Sequence, residues 1–183
     1  MTKSNKKLHQ LSKYLSFVLR HRPDDIDIQL SMDGWADVEE LIARVNAKGR
    51  DLTLEDLCEI VAQDEKQRYA FNDDKTKIRA NQGHSIDIDL KLEPIEPPEY
   101  LYHGTAQKNI DSIRTLGLQK RQRHHVHLSE NEKTAKQVGS RYGKPVILII
   151  AAKMMHEAGH EFYCSDNHVW LTDTVPTQFI QFP

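Results

Sequence analysis

The first 90 residues carry apolar side chains at the three- and four-residue spacing of amphipathic helices. The clearest run of such aliphatic positions lies near the N-terminus: Leu8, Leu11, Leu15, Val18 and Leu19. This run predicts a helix that ends after Arg22, because Pro23 cannot continue it. Two further amphipathic helices are predicted to begin after Asp37 and after Thr53, which are residue types that cap helix N-termini.

Two short segments rich in β-forming residues follow the third predicted helix. The segments RYAF and KIRA flank the polar stretch NDDKT, a pattern that predicts a β-hairpin. Three helices followed by a hairpin have the outline of a winged helix. Residues 1–90 hold 14 Lys and Arg against 17 Asp and Glu, a net charge of −3, which argues against an ordinary DNA-reading winged helix.

The stretch LKLEPIEPPEY, residues 90–100, contains three prolines and no helical or strand period. This composition is typical of a linker. The sequence therefore predicts a first domain over residues 1–90, a linker over 91–99 and a second domain over 100–183.

The second domain is predicted to mix strands and helices, so the predicted fold class is α+β. The predicted strands are YLYH, HHVHLS, PVILIIAA, FYCS, VWLT and FIQF. One helix is expected over QKNIDSIRTLG with Gly117 as its stop, and another after Ser129, which we expect to cap it together with Glu132. Neither a G-x-G-x-x-G nor a P-loop pattern occurs, so a Rossmann or P-loop domain is not expected.

The overall charge of −2 does not fit a protein that binds nucleic acid through a broadly basic surface. An anion site would have to be local, and one run of cationic and imidazole side chains qualifies: Lys120, Arg121, Arg123, His124, His125 and His127.

The longest apolar run, residues 146–152, is too short for a membrane span. No apolar segment follows the basic N-terminus, and the two cysteines lack a metal-type spacing, so a reducing, cytoplasmic setting is expected.

The stretch HEAGH, from His156 to His160, fits the H-E-x-x-H pattern of zinc hydrolases. That pattern requires a helix, because only i, i+4 spacing brings both imidazoles to one side. Gly159 lies inside the stretch and disfavours a helix by about 1 kcal/mol relative to alanine. We therefore expect a surface turn between strands and no metal site, and zinc hydrolysis is the least favoured function.

Three basic segments carry candidate chemistry, although each alone fits a solvated cation at the end of an element. They are LRHRP after the first helix, Arg68 in KQRYAF and Arg123 in RQRHHVHL. Together with other motifs they resemble the RNA 2'-phosphotransferase family (tRNA 2'-phosphotransferase). The resemblance is carried by six separated motifs in the family's order: LSKYLSFVLRHRP, DGWADVEEL, RYAF, YLYHGT, GLQKRQRHHVHLS and SDNHVWLTDTVP.

The resemblance implies a fold and a reaction. The expected architecture is an N-terminal winged-helix-like lobe that binds RNA and phosphate, followed by an ADP-ribosyltransferase-like lobe that binds NAD. Enzymes of this family remove an internal 2'-phosphate from RNA, such as one left at a ligated splice junction. The phosphate attacks the ribose carbon of NAD and expels nicotinamide. The ribose 2''-hydroxyl then attacks phosphorus, which gives 2'-hydroxyl RNA and ADP-ribose 1'',2''-cyclic phosphate.

The family's catalytic set of three arginines and one histidine falls on Arg20, His21, Arg68 and Arg123 of this chain. Guanidinium groups bind a phosphate bidentately and stabilise charge on phosphoryl oxygens. A histidine donates a hydrogen bond or transfers a proton near neutral pH. The resemblance therefore implies that the arginines clamp the phosphate and that His21 positions it or moves protons.

The resemblance also implies an NAD site in the second domain. His103, Gly104 and Thr105 match the first-strand motif of ADP-ribosyltransferases, in which the histidine contacts ribose hydroxyls and Gly104 admits the nicotinamide amide. The family's second histidine falls on His127. Further cofactor contacts are expected on the following helix and turn, at Asn109, Ser112 and Gly117.

Protein-modifying relatives carry an acidic residue at the position that falls near His168 and Val169, where this chain has none. This absence argues against ordinary protein mono-ADP-ribosylation. Two more functions are compatible with the sequence. One is an NAD-dependent ADP-ribosyltransferase that caps RNA or DNA phosphate ends, and the second is a non-enzymatic winged-helix protein that binds RNA.

Overall fold

The computed structural model describes the backbone from residue 3 to residue 183 and the side chains from residue 6. The chain divides into two units, Met1–Lys91 and Leu92–Pro183. Each unit combines helices with small antiparallel sheets around its own apolar core. The predicted α+β class is therefore confirmed.

Three α-helices dominate the first unit: α1 (Lys3–Arg20), α2 (Val38–Ala47) and α3 (Leu54–Gln63). The five predicted core positions of α1 are all buried, between 0 and 6% exposed. The helix ends two residues earlier than predicted, where the backbone N–H groups of His21 and Arg22 both donate to the Phe17 carbonyl. A short 3-10 helix, Pro23–Ile26, follows with its proline at the first position.

Local side-chain caps begin α2 and α3 as predicted. The Asp37 carboxylate accepts a hydrogen bond from the Glu40 backbone N–H at 2.9 Å. Thr53 and Asp56 form a reciprocal capping box at the start of α3. Each cap satisfies backbone donors that a helix N-terminus leaves without partners.

A three-stranded antiparallel sheet completes the first unit. Its strands are β1 (Ala36–Asp37), β2 (Tyr69–Phe71) and β3 (Lys77–Ala80), in the order β1-β3-β2. Strands β2 and β3 pair with Tyr69 opposite Ala80, so the predicted hairpin is confirmed. Strand β1 was not predicted, because two residues are too few to show a period.

The second unit contains eight short strands and three α-helices. The strands are β4 (Leu101–Ala106), β5 (Leu118–Gln119), β6 (Val126–Leu128), β7 (Pro145–Ile150), β8 (Tyr163–Cys164), β9 (Trp170–Thr172), β10 (Thr174–Val175) and β11 (Ile180–Gln181). They form three antiparallel sheets, ordered β11-β7-β4, β6-β9-β8 and β10-β5. The helices are α4 (Ile110–Leu116), α5 (Glu132–Gly139) and α6 (Ala152–Glu157), with 3-10 turns at Gln107–Asn109, Ser140–Tyr142 and Thr177–Phe179.

The helix cap predicted at Ser129 is wrong. Asn131 caps α5 instead, and its side-chain oxygen accepts from the Thr134 backbone N–H at 2.9 Å. Ser129 exchanges two backbone hydrogen bonds with Tyr102, both 2.8 Å long, and so joins the end of β6 to β4. Two candidate cap residues stand close together in the sequence, and strand pairing decides between them.

The HEAGH stretch is partly helical, so the prediction of a plain turn is wrong for His156 and Glu157, which lie in α6. The helix stops before His160 because Gly159 adopts a φ of +94°. His156 donates through Nδ1 to the His160 carbonyl oxygen at 3.2 Å, which closes the helix end. The two histidines therefore do not share one helical face, as the zinc motif requires. Within the described residues, no group of three or more His, Cys, Asp and Glu side chains could hold a metal ion.

None of the described helices is both long enough and apolar enough to span a membrane.

Candidate active site

The first unit brings together three of the four predicted phosphate-binding residues. Arg20 is the last residue of α1, His21 follows it, and Arg68 immediately precedes β2. The Arg20 guanidinium donates through Nη2 to the Arg68 carbonyl oxygen at a long 3.5 Å. The end of a helix and the start of a strand, 48 residues apart in sequence, therefore meet at this point.

A serine that was not predicted holds His21. Nδ1 of His21 lies 2.8 Å from the Ser85 hydroxyl oxygen. The Ser85 backbone N–H in turn donates to the Arg20 carbonyl oxygen at 3.0 Å. No sequence signal identifies this contact, because a single serine 64 residues from His21 has no distinguishing pattern.

Arg68 has a carboxylate partner that was also not predicted. The side chain of Asp64 forms an ion pair with the Arg68 guanidinium. Their i, i+4 spacing in DEKQR was visible in the sequence. The sequence did not reveal that the Asp64 side chain is only 5% exposed, which distinguishes it from an ordinary surface pair.

The second unit joins the fourth arginine to a strand histidine. Arg123 lies in the turn before β6, where its backbone N–H donates to the Lys120 carbonyl oxygen. Nη1 of Arg123 lies 2.9 Å from Nδ1 of His127. Because a guanidinium group only donates hydrogen bonds, Nδ1 of His127 must be the acceptor and carries no proton in this arrangement.

His103, in β4, continues the same series of contacts. Its Nδ1 donates to the backbone carbonyl oxygen of His127 at 3.0 Å, which leaves Nε2 as an acceptor in the neutral ring. Burial lowers the pKa of His103, and the nearby positive charge of Arg123 lowers it further, although the hydrogen bond to His127 opposes the shift. His103 is therefore held as a neutral imidazole with an unprotonated Nε2.

The lowered pKa of His103 predicts how its stabilising contribution changes with pH. In the unfolded chain the His103 imidazole takes up a proton at about pH 6.5, whereas in the folded protein it does so only at a lower pH. The contribution is therefore complete above about pH 6.5 and decreases as the pH falls. Denaturant unfolding of the wild type and of His103→Asn measures it. The difference in unfolding free energy between the two proteins should shrink between about pH 7 and pH 5. A difference that stays constant with pH would contradict the neutral, partly buried state of His103.

Thr105 and Asn109 also contact each other. Thr105 is buried in β4, and its hydroxyl oxygen accepts from the Asn109 side-chain amide at 3.1 Å. Ser112 is exposed on α4, and Gly117 follows the last residue of that helix. Thr105 and Asn109 are thus joined directly by a side-chain hydrogen bond.

Both predicted glycines have a packing role. A Cβ atom at Gly104 would lie 1.6 Å from the carbonyl oxygen of Ala135 in α5, and one at Gly117 would lie 2.2 Å from the carbonyl oxygen of Val175. Gly117 also adopts a φ of +71°, which side chains other than glycine rarely adopt. The predicted contacts of these glycines with NAD stay predictions, because backbone packing alone accounts for glycine at both positions.

The rest of the basic run is partly engaged within the second unit. Lys120 forms an ion pair with Asp173. The ring of His125 packs on Tyr163 with 5.5 Å between ring centroids, and burial, followed by the charges of His124 and Lys120, lowers the pKa of His125. His125 is therefore a structural contact rather than an exposed cation.

A family model described as "RNA 2'-phosphotransferase, Tpt1 / KptA family" matches residues 6–174. The chain belongs to the RNA 2'-phosphotransferase family. The resemblance noted from six separate motifs is thereby confirmed. The matched range includes all eleven predicted site residues, from Arg20 to His127.

Curated relatives of similar length support this membership. The chain is 54% identical over 176 residues to a probable RNA 2'-phosphotransferase of Hahella chejuensis, covering 96% of this chain and 95% of that protein. It is 52% identical over 178 residues to one from Nostoc punctiforme, covering 97% of this chain and 98% of the relative. A third, from Rhodopirellula baltica, is 50% identical over 182 residues, which is 99% of each chain.

Proposed function

We propose that the protein is an NAD-dependent RNA 2'-phosphotransferase that removes an internal 2'-phosphate from RNA. NAD is the second substrate: its ribose accepts the phosphate and nicotinamide leaves. The proposed course runs through an ADP-ribosylated phosphate to 2'-hydroxyl RNA and ADP-ribose 1'',2''-cyclic phosphate. RNA from a splice junction that retains a 2'-phosphate, as in tRNA splicing, is the proposed substrate.

The observation that carries this proposal is the series of contacts Arg123–His127–His103 in a member of this family. The series connects a guanidinium, suited to a phosphate, with a histidine suited to a ribose. His103 fits that second role because its proton is committed to the His127 carbonyl oxygen, so Nε2 can accept a hydrogen bond from a hydroxyl group. The hydrogen-bonding side chains of His103, Thr105, Asn109 and His127 are thus chemically compatible with NAD.

The proposal assigns Arg20, Arg68 and Arg123 to the phosphate oxygens. A dianionic 2'-phosphate is expected to accept several charge-assisted hydrogen bonds, and fixed guanidinium groups stabilise the negative charge on the phosphoryl oxygens during transfer. His21, held by Ser85, is proposed to position the phosphate or to transfer a proton.

We further propose that the first unit is a winged-helix-like lobe and the second an ADP-ribosyltransferase-like lobe. The three helices and the β2–β3 hairpin of the first unit support the former. The antiparallel sheets that carry His103 on β4 and His127 on β6 support the latter. A cytoplasmic location is proposed from the two cysteines, Cys58 and Cys164, both of which are free thiols.

Incubating the protein with NAD and a synthetic RNA that bears one internal 2'-phosphate tests the proposed function. We expect loss of the 2'-phosphate, release of nicotinamide and formation of ADP-ribose cyclic phosphate in equal amounts. Omitting NAD should abolish all three products. The same RNA without the 2'-phosphate but with a 5'-phosphate is the matched control and should stay unmodified. ADP-ribose attached to the 5'-phosphate of the control RNA, with no loss of the 2'-phosphate from the substrate RNA, would instead identify a capping enzyme. No NAD-dependent loss of the 2'-phosphate would refute the proposal.

A further inference from the structure

Asp64 lies directly after α3, where the chain turns towards β2. Its backbone is extended, with φ −75° and ψ 92°. The Gln67 backbone N–H donates to the Asp64 carbonyl oxygen at 2.7 Å, and Gln67 itself adopts a left-handed φ of +43°. Residues 64–68 therefore form a tight turn that brings the Asp64 side chain back to Arg68.

Both carboxylate oxygens of Asp64 bind Arg68, each at a different part of that residue. Oδ2 accepts from the Arg68 backbone N–H at 2.6 Å, and Oδ1 accepts from Nη1 of the guanidinium at 2.5 Å. One nearly buried carboxylate thus fixes both the backbone and the far end of the same arginine. A free arginine side chain has about 2 kcal/mol of rotamer entropy, much of which this clamp removes before any ligand binds.

The clamp leaves most of the guanidinium available. A guanidinium has five N–H donors, and the contact with Asp64 uses one on Nη1. The Arg68 carbonyl oxygen is also held, by the Asn81 backbone N–H at 2.9 Å and by Nη2 of Arg20. The backbone of Arg68 is therefore fixed on both sides, while its side chain remains 33% exposed.

The negative charge of Asp64 makes it unsuited to touch a phosphate. Beside a phosphate-binding arginine it lowers the local positive charge and so weakens the attraction for an anion. Its presence is disadvantageous if charge alone determines phosphate binding. Its presence is advantageous if the direction of the Arg68 donors limits the reaction, because small errors of position reduce the rate strongly.

We propose that Asp64 is a positioning residue that orients the Arg68 guanidinium towards the 2'-phosphate of the RNA substrate. This inference rests on the proposed function and deepens it by assigning a second residue to the same phosphate site. Asp64 acts on the phosphate through Arg68, and its further contact, from the Lys66 backbone N–H to Oδ1 at 3.3 Å, lies within the same turn.

A double-mutant cycle tests this role, with Asp64→Asn, Arg68→Ala and the combined variant assayed on the 2'-phosphorylated RNA. We expect Asp64→Asn to lower kcat by about tenfold or more, because the guanidinium loses its fixed direction, while KM stays the same or falls as a negative charge is removed. In the Arg68→Ala background the same change should alter kcat by less than about twofold. An equal loss of kcat in both backgrounds, or a rise in kcat for Asp64→Asn, would overturn the proposal.

Asp56→Asn is the matched control. Asp56 is a carboxylate at the N-terminal end of α3, where it belongs to the capping box and pairs with Lys7, whereas Asp64 follows the C-terminal end of that helix. It should change thermal stability but not kcat.

Nuclear magnetic resonance of the arginine side chains adds a measurement independent of activity. The Arg68 guanidinium, assigned by its absence in Arg68→Ala, should rotate slowly in the wild type and freely in Asp64→Asn. Free rotation of the Arg68 guanidinium in the wild type would refute the clamp. If that guanidinium rotates slowly but the wild type does not remove the 2'-phosphate, only the proposed function is refuted.

Discussion

Replacing Arg123 by alanine is expected to lower the rate of NAD-dependent 2'-phosphate removal by about a thousandfold while leaving the fold intact. Arg123 is exposed in the turn before β6, so the change opens no cavity. The large effect follows from the proposed role of the guanidinium, since a fixed cation next to phosphoryl oxygens stabilises negative charge that develops during transfer. The change also removes the hydrogen bond that Nη1 of Arg123 donates to Nδ1 of His127.

Single-turnover assays on 2'-phosphorylated RNA measure this loss, with thermal unfolding as the test of folding. Arg123→Lys keeps the charge but not the forked donors, and it should recover only a small part of the rate. Arg141→Ala is the matched control, because Arg141 is an exposed arginine in a 3-10 turn of the same unit and has no proposed role. An Arg123→Ala protein that cleared the phosphate at the wild-type rate would remove Arg123 from the proposed site.

The substitution Gly104→Ala is expected to destabilise the second unit by about 3 kcal/mol or more. The added Cβ would lie 1.6 Å from the Ala135 carbonyl oxygen and 3.0 Å from the Gly139 nitrogen. Gly139 faces the same restriction in return, because its own Cβ would meet the Thr105 carbonyl oxygen at 2.8 Å. Helix α5 therefore packs on β4 backbone against backbone, and no side-chain rotation can relieve the clash.

Denaturant unfolding of Gly104→Ala measures the cost, and a second substitution tests its cause. Ala135→Gly should not rescue the variant, because the clashing atom belongs to the backbone rather than to the Ala135 side chain. Gly159→Ala is the control in the same unit. No atom lies within 4 Å of its added Cβ, so only the strain of its positive φ, about 1–2 kcal/mol, is expected. A Gly104→Ala protein as stable as the wild type would show that α5 can move away from β4.

Local patterns predicted the regular elements of this chain well, because the interactions that form them join residues close together in the sequence. The caps at Asp37 and Thr53 each join residues three apart, and the buried face of α1 repeats every three or four residues. At Ser129 the local pattern is not sufficient to place the start of the helix. Ser129 and Asn131 are both suitable caps, and only the pairing of Ser129 with Tyr102 decides that Asn131 begins α5.

The HEAGH stretch shows a similar limit for motifs. Its residues match the H-E-x-x-H motif of a zinc site, but the glycine within it indicated that no helix would span the stretch. This is confirmed, since Gly159 adopts a positive φ and α6 ends before His160. The presence of α6 was nevertheless missed. A helix of six residues is too short to show a clear period, and it forms here because the apolar core buries Ala152 and Met155.

The sequence by itself determined the family, the α+β class and which side chains are the candidates for chemistry, because motif order and local periodicity are properties of the chain alone. Only the tertiary structure decided how those side chains are held. The contact of His21 with Ser85 spans 64 residues, that of His103 with the His127 carbonyl oxygen spans 24, and the burial that distinguishes Asp64 from a surface carboxylate depends on the packed unit. Hydrogen-bond direction, proton position and burial arise from atoms that meet only after folding, and no spacing along the chain encodes them.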